Sequence, residues 1–233
     1  MQGGIEKTHK FMTLIINQRL FYWEELTMAE TYGFSTLSTR VLKTDLTPDT
    51  SKQIRVLEGK QKEGGPTAFD LTGLSKEIQK VFAGDREYWI AAKGTGTVAA
   101  NFGLLDVPVA IEQELLGLVT FGDDGGIDGF GDKTEPPYVA TVAEAEDLYG
   151  EPVAFAMLAG KFNRDGYSLA TKNDEDFTPE AGEYVFNAIT RDITIGEKTE
   201  KMKVLRAFGA ENVASLKTAV LGGPVTPPSG SGE

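Results

Sequence analysis

The chain has 233 residues, 40% of them hydrophobic and 25% charged, enough for one sizeable core without covalent or metal staples. It has no cysteine, which excludes a disulfide framework, a thiolate nucleophile and a sulfur-ligated metal site. A net charge of −12 repels nucleic-acid phosphates, and no apolar run approaches the ~18 residues of a membrane span, so neither tight DNA binding nor membrane insertion is expected.

Residues 1–27 differ from the rest of the chain. They hold the only histidine (His9), one of the two tryptophans (Trp23) and two short apolar runs, Phe11–Ile16 and Leu20–Trp23. Lys7 and Lys10 precede the first run, as in a secretory signal, but Asn17, Gln18 and Arg19 cut it short and no small-residue cleavage site follows. Trp23-Glu24-Glu25 can be encoded by a purine-rich ribosome-binding sequence, with Leu26 and Thr27 as spacer. The segment therefore reads as translated leader, with the natural start at Met28. Three of the 23 basic and three of the 35 acidic residues lie in it, so removing it leaves the charge at −12 and takes away the histidine.

From Met28 onward, glycine and proline separate short runs rather than interrupt long periodic ones. Ser75–Phe82 (SKEIQKVF) places Ile78, Val81 and Phe82 on one helical face, but it is short enough to be a strand. Glu87–Ala91 reads as a strand, and Lys93-Gly94-Thr95-Gly96-Thr97 as a turn, since its lone GxG lacks the third glycine of a dinucleotide fingerprint. The clearest helix spans about 106–117. Asp106 suits the N-cap, Pro108 the first turn and Gly117 the left-handed C′ position, with Ile111, Leu115 and Leu118 on one face.

Further along, Tyr138–Val142 and Tyr184–Thr190 read as strands. Thr141–Tyr149 (TVAEAEDLY) overlaps the first of these but is rich in helix formers, and 198–221 fits helix or irregular strand. The end, GGPVTPPSGSGE (222–233), has too little apolar content to order itself and reads as a flexible tail.

Catalytic chemistry finds little purchase. A chain starting at Met28 lacks both histidine and cysteine, acids are too many for any pair to stand out, and the phosphate-cradling GxxxxGK[ST] pattern is absent. Gly122–Asp132 carries Asp123, Asp124, Asp128 and Asp132 among glycines, hard oxygen ligands suited to calcium. The spacing fails the EF-hand loop, because Gly126 stands where the second carboxylate belongs. The reading is an exposed acidic loop, with no metal, no cofactor and no catalytic residue assigned.

Several segments taken together resemble one family. Leu105–Pro108 through Glu114–Gly117 is similar to a helix segment of siphophage major tail proteins, as found in phages of Gram-positive bacteria. A Gly/Asp-rich loop follows, then Glu135-Pro136-Pro137-Tyr138-Val139-Ala140, similar to a strand entry of that family, and Leu158–Phe162, similar to a strand end. Val81–Tyr88 and the opening Tyr32-Gly33-Phe34 fit the same order, with Ala83-Gly84-Asp85 departing from the family's usual turn. The order holds from about Met28 to Ile195.

The resemblance implies a mainly β fold, an antiparallel β-sandwich or barrel of the tail-tube type with one flanking helix. It divides the chain into a leader (1–27), a tail-tube β domain (28–197), a C-terminal extension (198–221) and the tail (222–233). Under it, Tyr138–Ala145 and Pro152–Ala159 become paired strands joined near Asp147–Gly150, despite their helix-friendly residues. It also implies a non-enzymatic virion protein, made in the host bacterial cytoplasm and located in the tail. Hexameric rings of this subunit would stack around a tape-measure protein and conduct DNA without binding it specifically. Other readings of the same residues are a capsid decoration, a tail-end component, or a calcium-assisted adhesion module using Gly122–Asp132.

Overall fold

The computed structural model describes residues 30–122, 125–169, 171 and 178–223. The proposed leader and most of the C-terminal tail lie outside that range. With 50% strand and 11% helix, the protein is mainly β. In chain order the strands are β1 (Thr31–Val41), β2 (Arg55–Leu57), β3 (Gly65–Thr72), β4 (Gln79–Ala83), β5 (Arg86–Ala91) and β6 (Ala99–Leu105). After helix α1 (Val109–Leu116) come β7 (Val119–Phe121), β8 (Ile127–Gly129), β9 (Val139–Asp147), β10 (Pro152–Asn163) and β11 (Gly182–Ala188). The chain closes with β12 (Arg191–Ile195), β13 (Lys198–Met202), β14 (Val204–Phe208) and helix α2 (Ala210–Leu221).

Eight strands form one antiparallel sheet, seven of them in the order β2-β1-β9-β10-β11-β6-β3 and the eighth, β14, paired with β10. Strand β10 serves two partners on one edge: β14 along Val153–Met157 and β11 along Gly160–Asn163. The sheet curls until β1 meets β3, where Phe34 and Phe69 stack with ring centroids 5.7 Å apart. Three two-stranded hairpins, β4–β5, β7–β8 and β12–β13, stand off this sheet.

Two apolar clusters hold the fold. The one inside the curl joins Leu37, Phe102, Val139, Ala143, Met157, Phe162 and Phe186, with Leu115 and Leu116 of α1 closing it. The other lies on the outer face of β9 and β10, where Ala140, Val142, Ala154, Ala156 and Leu158 pack under Val213, Leu216, Val220 and Leu221 of α2. Strands β9 and β10 are thus buried on both faces, which explains why their sequences show no polar alternation. Small alanines face α2 and let the helix come close. Arg191 stitches the layers together, its Nη1 donating to the Leu158 and Val220 carbonyls at 3.0 and 3.1 Å. Burial lowers its pKa, while its place at the C-terminal end of α2 favours the charge. Lys217 on α2 pairs with Glu144 on β9 at 2.7 Å.

The structure resolves the ambiguous segments. Of Thr141–Tyr149, the part up to Asp147 is strand, paired with β10 as the hairpin reading requires, and Leu148 and Tyr149 form the turn. Ser75–Phe82 is no helix, because Gln79–Ala83 pairs with β5. Residues 198–221 supply β13, β14 and a second helix, α2. One detail is corrected: Asp106 does not cap α1. Its backbone is left-handed (φ 49°), its carboxylate accepts the Lys62 backbone N–H at 2.7 Å, and Pro108 occupies the cap position. Gly117 does adopt the left-handed C-cap (φ 61°), and an added Cβ would meet the Glu135 carbonyl oxygen at 2.0 Å.

Candidate functional site

The most unusual surface is the β4–β5 ribbon. Its two-residue turn is Gly84-Asp85, both with positive φ (60° and 58°), as a type I′ hairpin turn demands. Pairing sets Val81 opposite Trp89 and Lys80 opposite Ile90, with an irregularity that accommodates Tyr88. Lys80 and Glu87 form an ion pair on one face. Neither face is covered: Phe82 is 64% exposed, Tyr88 78%, Trp89 58% and Ile90 51%. Such a ribbon has no core of its own, and isolated two-stranded hairpins are marginal in water. Its root is nevertheless fixed. Gly73 (φ 74°) lies so close to Thr97 that an added Cβ would meet the carbonyl oxygen at 1.8 Å, the Gly96 N–H donates to the Gly73 carbonyl at 3.0 Å, and Lys203 Nζ donates to the Gly96 carbonyl at 3.0 Å.

A second surface lies at the other end of β6, which runs from the ribbon's root to the α1 end. Here α1 and the β7–β8 hairpin present Val109, Phe121, Ile127 and Phe130, all more than half exposed. Gln113 ties the hairpin to the helix, donating to the Gly125 carbonyl at 2.9 Å and to Asp128 Oδ2 at 2.7 Å. Behind it sits a polar knot around Glu112. One oxygen, Oε1, accepts from Arg164 Nη1 (2.6 Å), the Tyr184 hydroxyl (2.7 Å) and the Tyr167 hydroxyl (3.1 Å). The Arg164 guanidinium also lies over both tyrosine rings. Burial, then the Glu112 carboxylate, pushes the pKa of both tyrosines up, most strongly for Tyr184. Burial works against the charge of Arg164, but the hydrogen bond to Glu112 and the electrostatic pull of Tyr184, Glu112 and Tyr167 together outweigh that and raise its pKa. Sequence reasoning missed this knot, because its members stand 52, 55 and 72 residues from Glu112 and carry no local pattern.

The acidic loop forms part of the second surface. Asp128 sits on β8 and accepts from Gln113, Asp132 is exposed on the segment after it, and Asp123 and Asp124 lie outside the described residues. Of the four, the described residues thus place only Asp128 and Asp132. Among the described residues no cluster of three or more potential ligands is arranged to hold a metal ion. Where β1 and β3 fail to pair there is a groove of about 270 Å³, walled by Thr31, Phe34, Thr67, Phe69 and Phe155. No helix among the described residues is long and apolar enough to cross a membrane.

A family model described as phage tail tube protein matches residues 52–203, which is 152 of the 233 residues. The chain belongs to the phage tail tube protein family. No curated protein and no solved structure matches it. The matched span takes in the ribbon, α1, the β7–β8 hairpin and β9 through β13. Strands β1 and β14 and helix α2 fall outside it yet complete the sheet and its outer layer. Membership makes this tail tube protein a structural, non-enzymatic kind of protein, located in the virion tail and assembling into a tube with other tail components.

Proposed function

We propose that this tail tube protein is the major tail protein of a siphophage. In this reading its subunits form hexameric rings that stack around a tape-measure protein, and the finished tube conducts DNA during ejection. The match to the family over residues 52–203 carries the reading. The physical surface supports it: a ribbon with both apolar faces exposed is what a subunit offers when its neighbours complete it. The net charge of −12 supports a wall along which DNA slides. A basic lining would hold phosphates through counterion release, whereas an acidic one offers no such brake. Screening over ~10 Å at about 0.1 M salt keeps the repulsion short-ranged.

Negative-stain microscopy of the purified protein across a salt series tests the proposal. Hollow tubes should form, aided by moderate salt that screens subunit repulsion. A protein that stays monomeric at high concentration in every salt, even with phage assembly partners supplied, would refute the tube assignment. Tubes whose lumen is lined mainly by lysine and arginine would leave the assignment standing and overturn the electrostatic argument.

A further inference from the structure

We propose that the β4–β5 ribbon of one copy docks on the α1/β7–β8 end of the next copy along the tube, an inference that rests on the tube reading above. Both surfaces are apolar and exposed: Phe82, Tyr88, Trp89 and Ile90 on the ribbon, Phe121 and Ile127 on the opposite hairpin. They lie at opposite ends of one rigid strand. The seven residues of β6 separate the ribbon's root from α1, a distance of roughly 23 Å at ~3.3 Å per residue. The β6 strand sits inside the sheet between β3 and β11, so the two ends are held apart in each copy. Each copy thus carries one surface of each kind, at the two ends of β6. A contact between unlike surfaces repeats head to tail, which is the requirement for an open-ended stack.

Charge separates this pairing from ribbon-to-ribbon contact. Between Lys76 and Lys93 the ribbon region carries Lys76, Lys80, Arg86 and Lys93 against Glu77, Asp85 and Glu87, a surplus of one positive charge in a chain of net −12. Among the described residues around the opposite hairpin, Asp128, Asp132 and Glu135 stand against Lys133 and Lys161, the latter paired with Glu135 at 3.5 Å, a surplus of one negative charge. The ribbon is therefore the less repelled when it meets that end than when either surface meets its own kind. Gln113 ties the receiving hairpin to α1, and Tyr167 of the Glu112 knot packs edge-on against Phe130 beside it, so the ribbon meets a preformed surface.

The absence of cysteine makes a direct test possible. Tyr88→Cys and Ile127→Cys change side chains that are 78% and 68% exposed, so the subunit should fold. Tubes of the double variant, oxidised after assembly, should give a ladder of covalent oligomers on denaturing gels. A mixture of the two single variants should give dimers and no higher species, and each single variant alone should give none. Separately, Lys76→Glu with Arg86→Glu should slow assembly several-fold at low salt, with Asp132→Lys restoring part of the rate. Tubes of normal appearance without a ladder would overturn the docking. So would cross-linking of Tyr88→Cys alone, or of Tyr88→Cys to Thr67→Cys in the β1/β3 groove. Failure of the cysteine-free parent to form any tube would remove the tube reading itself, and the docking with it.

Discussion

Gly160 is the position where the architecture is least forgiving, and Gly160→Ala measures it. The residue lies where β10 changes partners, pairing at once with Val139 on β9 and Ala188 on β11, directly after the irregularity that follows Met157. A Cβ there would sit 2.3 Å from the Asn187 carbonyl oxygen and 2.5 Å from Cζ of Phe186, where real contacts stay above 3.0 Å. Relief requires a shift of about 1 Å by β11 backbone or by a ring with no exposure, which packs edge-on against Phe162 at 4.9 Å. Forced overpacking of this kind costs ~1–3 kcal/mol, and loosening a ladder hydrogen bond adds about 1 kcal/mol. A loss of about 2–4 kcal/mol lowers the melting temperature by roughly 4–16 °C in a protein of this size.

Thermal unfolding followed by circular dichroism on the unassembled subunit is the assay. Gly131→Ala is the control, since its Cβ would meet nothing within 4 Å and should move the melting temperature by no more than about 2 °C. If Gly160→Ala melts with the control, the close approach of β10 and β11 is not as tight as the argument requires.

The polar knot and the acidic loop give two further expectations. Because the folded pKa of Tyr184 is raised, its neutral form stabilises the fold fully below the ordinary tyrosine value, and that contribution is lost as pH climbs from about 10 upward. Melting temperatures from pH 8 to 11 should fall on the alkaline side. Tyr184→Phe should cost about 1 kcal/mol at neutral pH through its lost hydrogen bond and flatten that fall, and equal alkaline slopes in both proteins would refute the coupling. Replacing Asp123, Asp124 and Asp128 with asparagine should change stability by no more than about 0.5 kcal/mol, as is usual for solvated surface groups. Calcium should not raise the melting temperature of the parent, and a calcium-dependent rise abolished by the triple change would establish a metal site instead.

Much of the fold was legible because local chemistry and tertiary packing agree there. Ile111, Leu115 and Leu118 mark α1, and all three face the inner core. The β9–β10 hairpin, by contrast, was legible only through the family resemblance, because Thr141–Tyr149 is rich in helix formers and burial on both faces overrides that propensity. Disagreements have physical causes. Ile78, Val81 and Phe82 share a helical face by coincidence of spacing. A turn that needs positive φ at both central residues, met by Gly84 and Asp85, makes a strand pair of that segment instead. Asp106 looked like a cap from its neighbours alone, but the Lys62 N–H, 44 residues away, claims its carboxylate. Helix α2 has Val213, Leu216 and Val220 at helical spacing, yet 198–221 read as one piece also contains two strands, and no single period describes it.

The surfaces that assembly would use were harder to read, and the reason is general. A catalytic site announces itself by residue types that chemistry requires at fixed spacing. A contact between copies requires only that apolar side chains be present where this fold leaves them uncovered. Glu87–Ala91 has the composition of any buried strand, and nothing in its sequence says that Trp89 and Ile90 point into solvent. That becomes visible only when the sheet is complete and the ribbon is found beside it, joined to the sheet by its root. A free monomer gains nothing from holding Phe82, Tyr88 and Trp89 in water, since burying such rings is worth ~1.5–3 kcal/mol each. Under the docking proposed above, the cost of their exposure falls on the unassembled subunit alone and becomes a driving force for assembly rather than a defect of the fold.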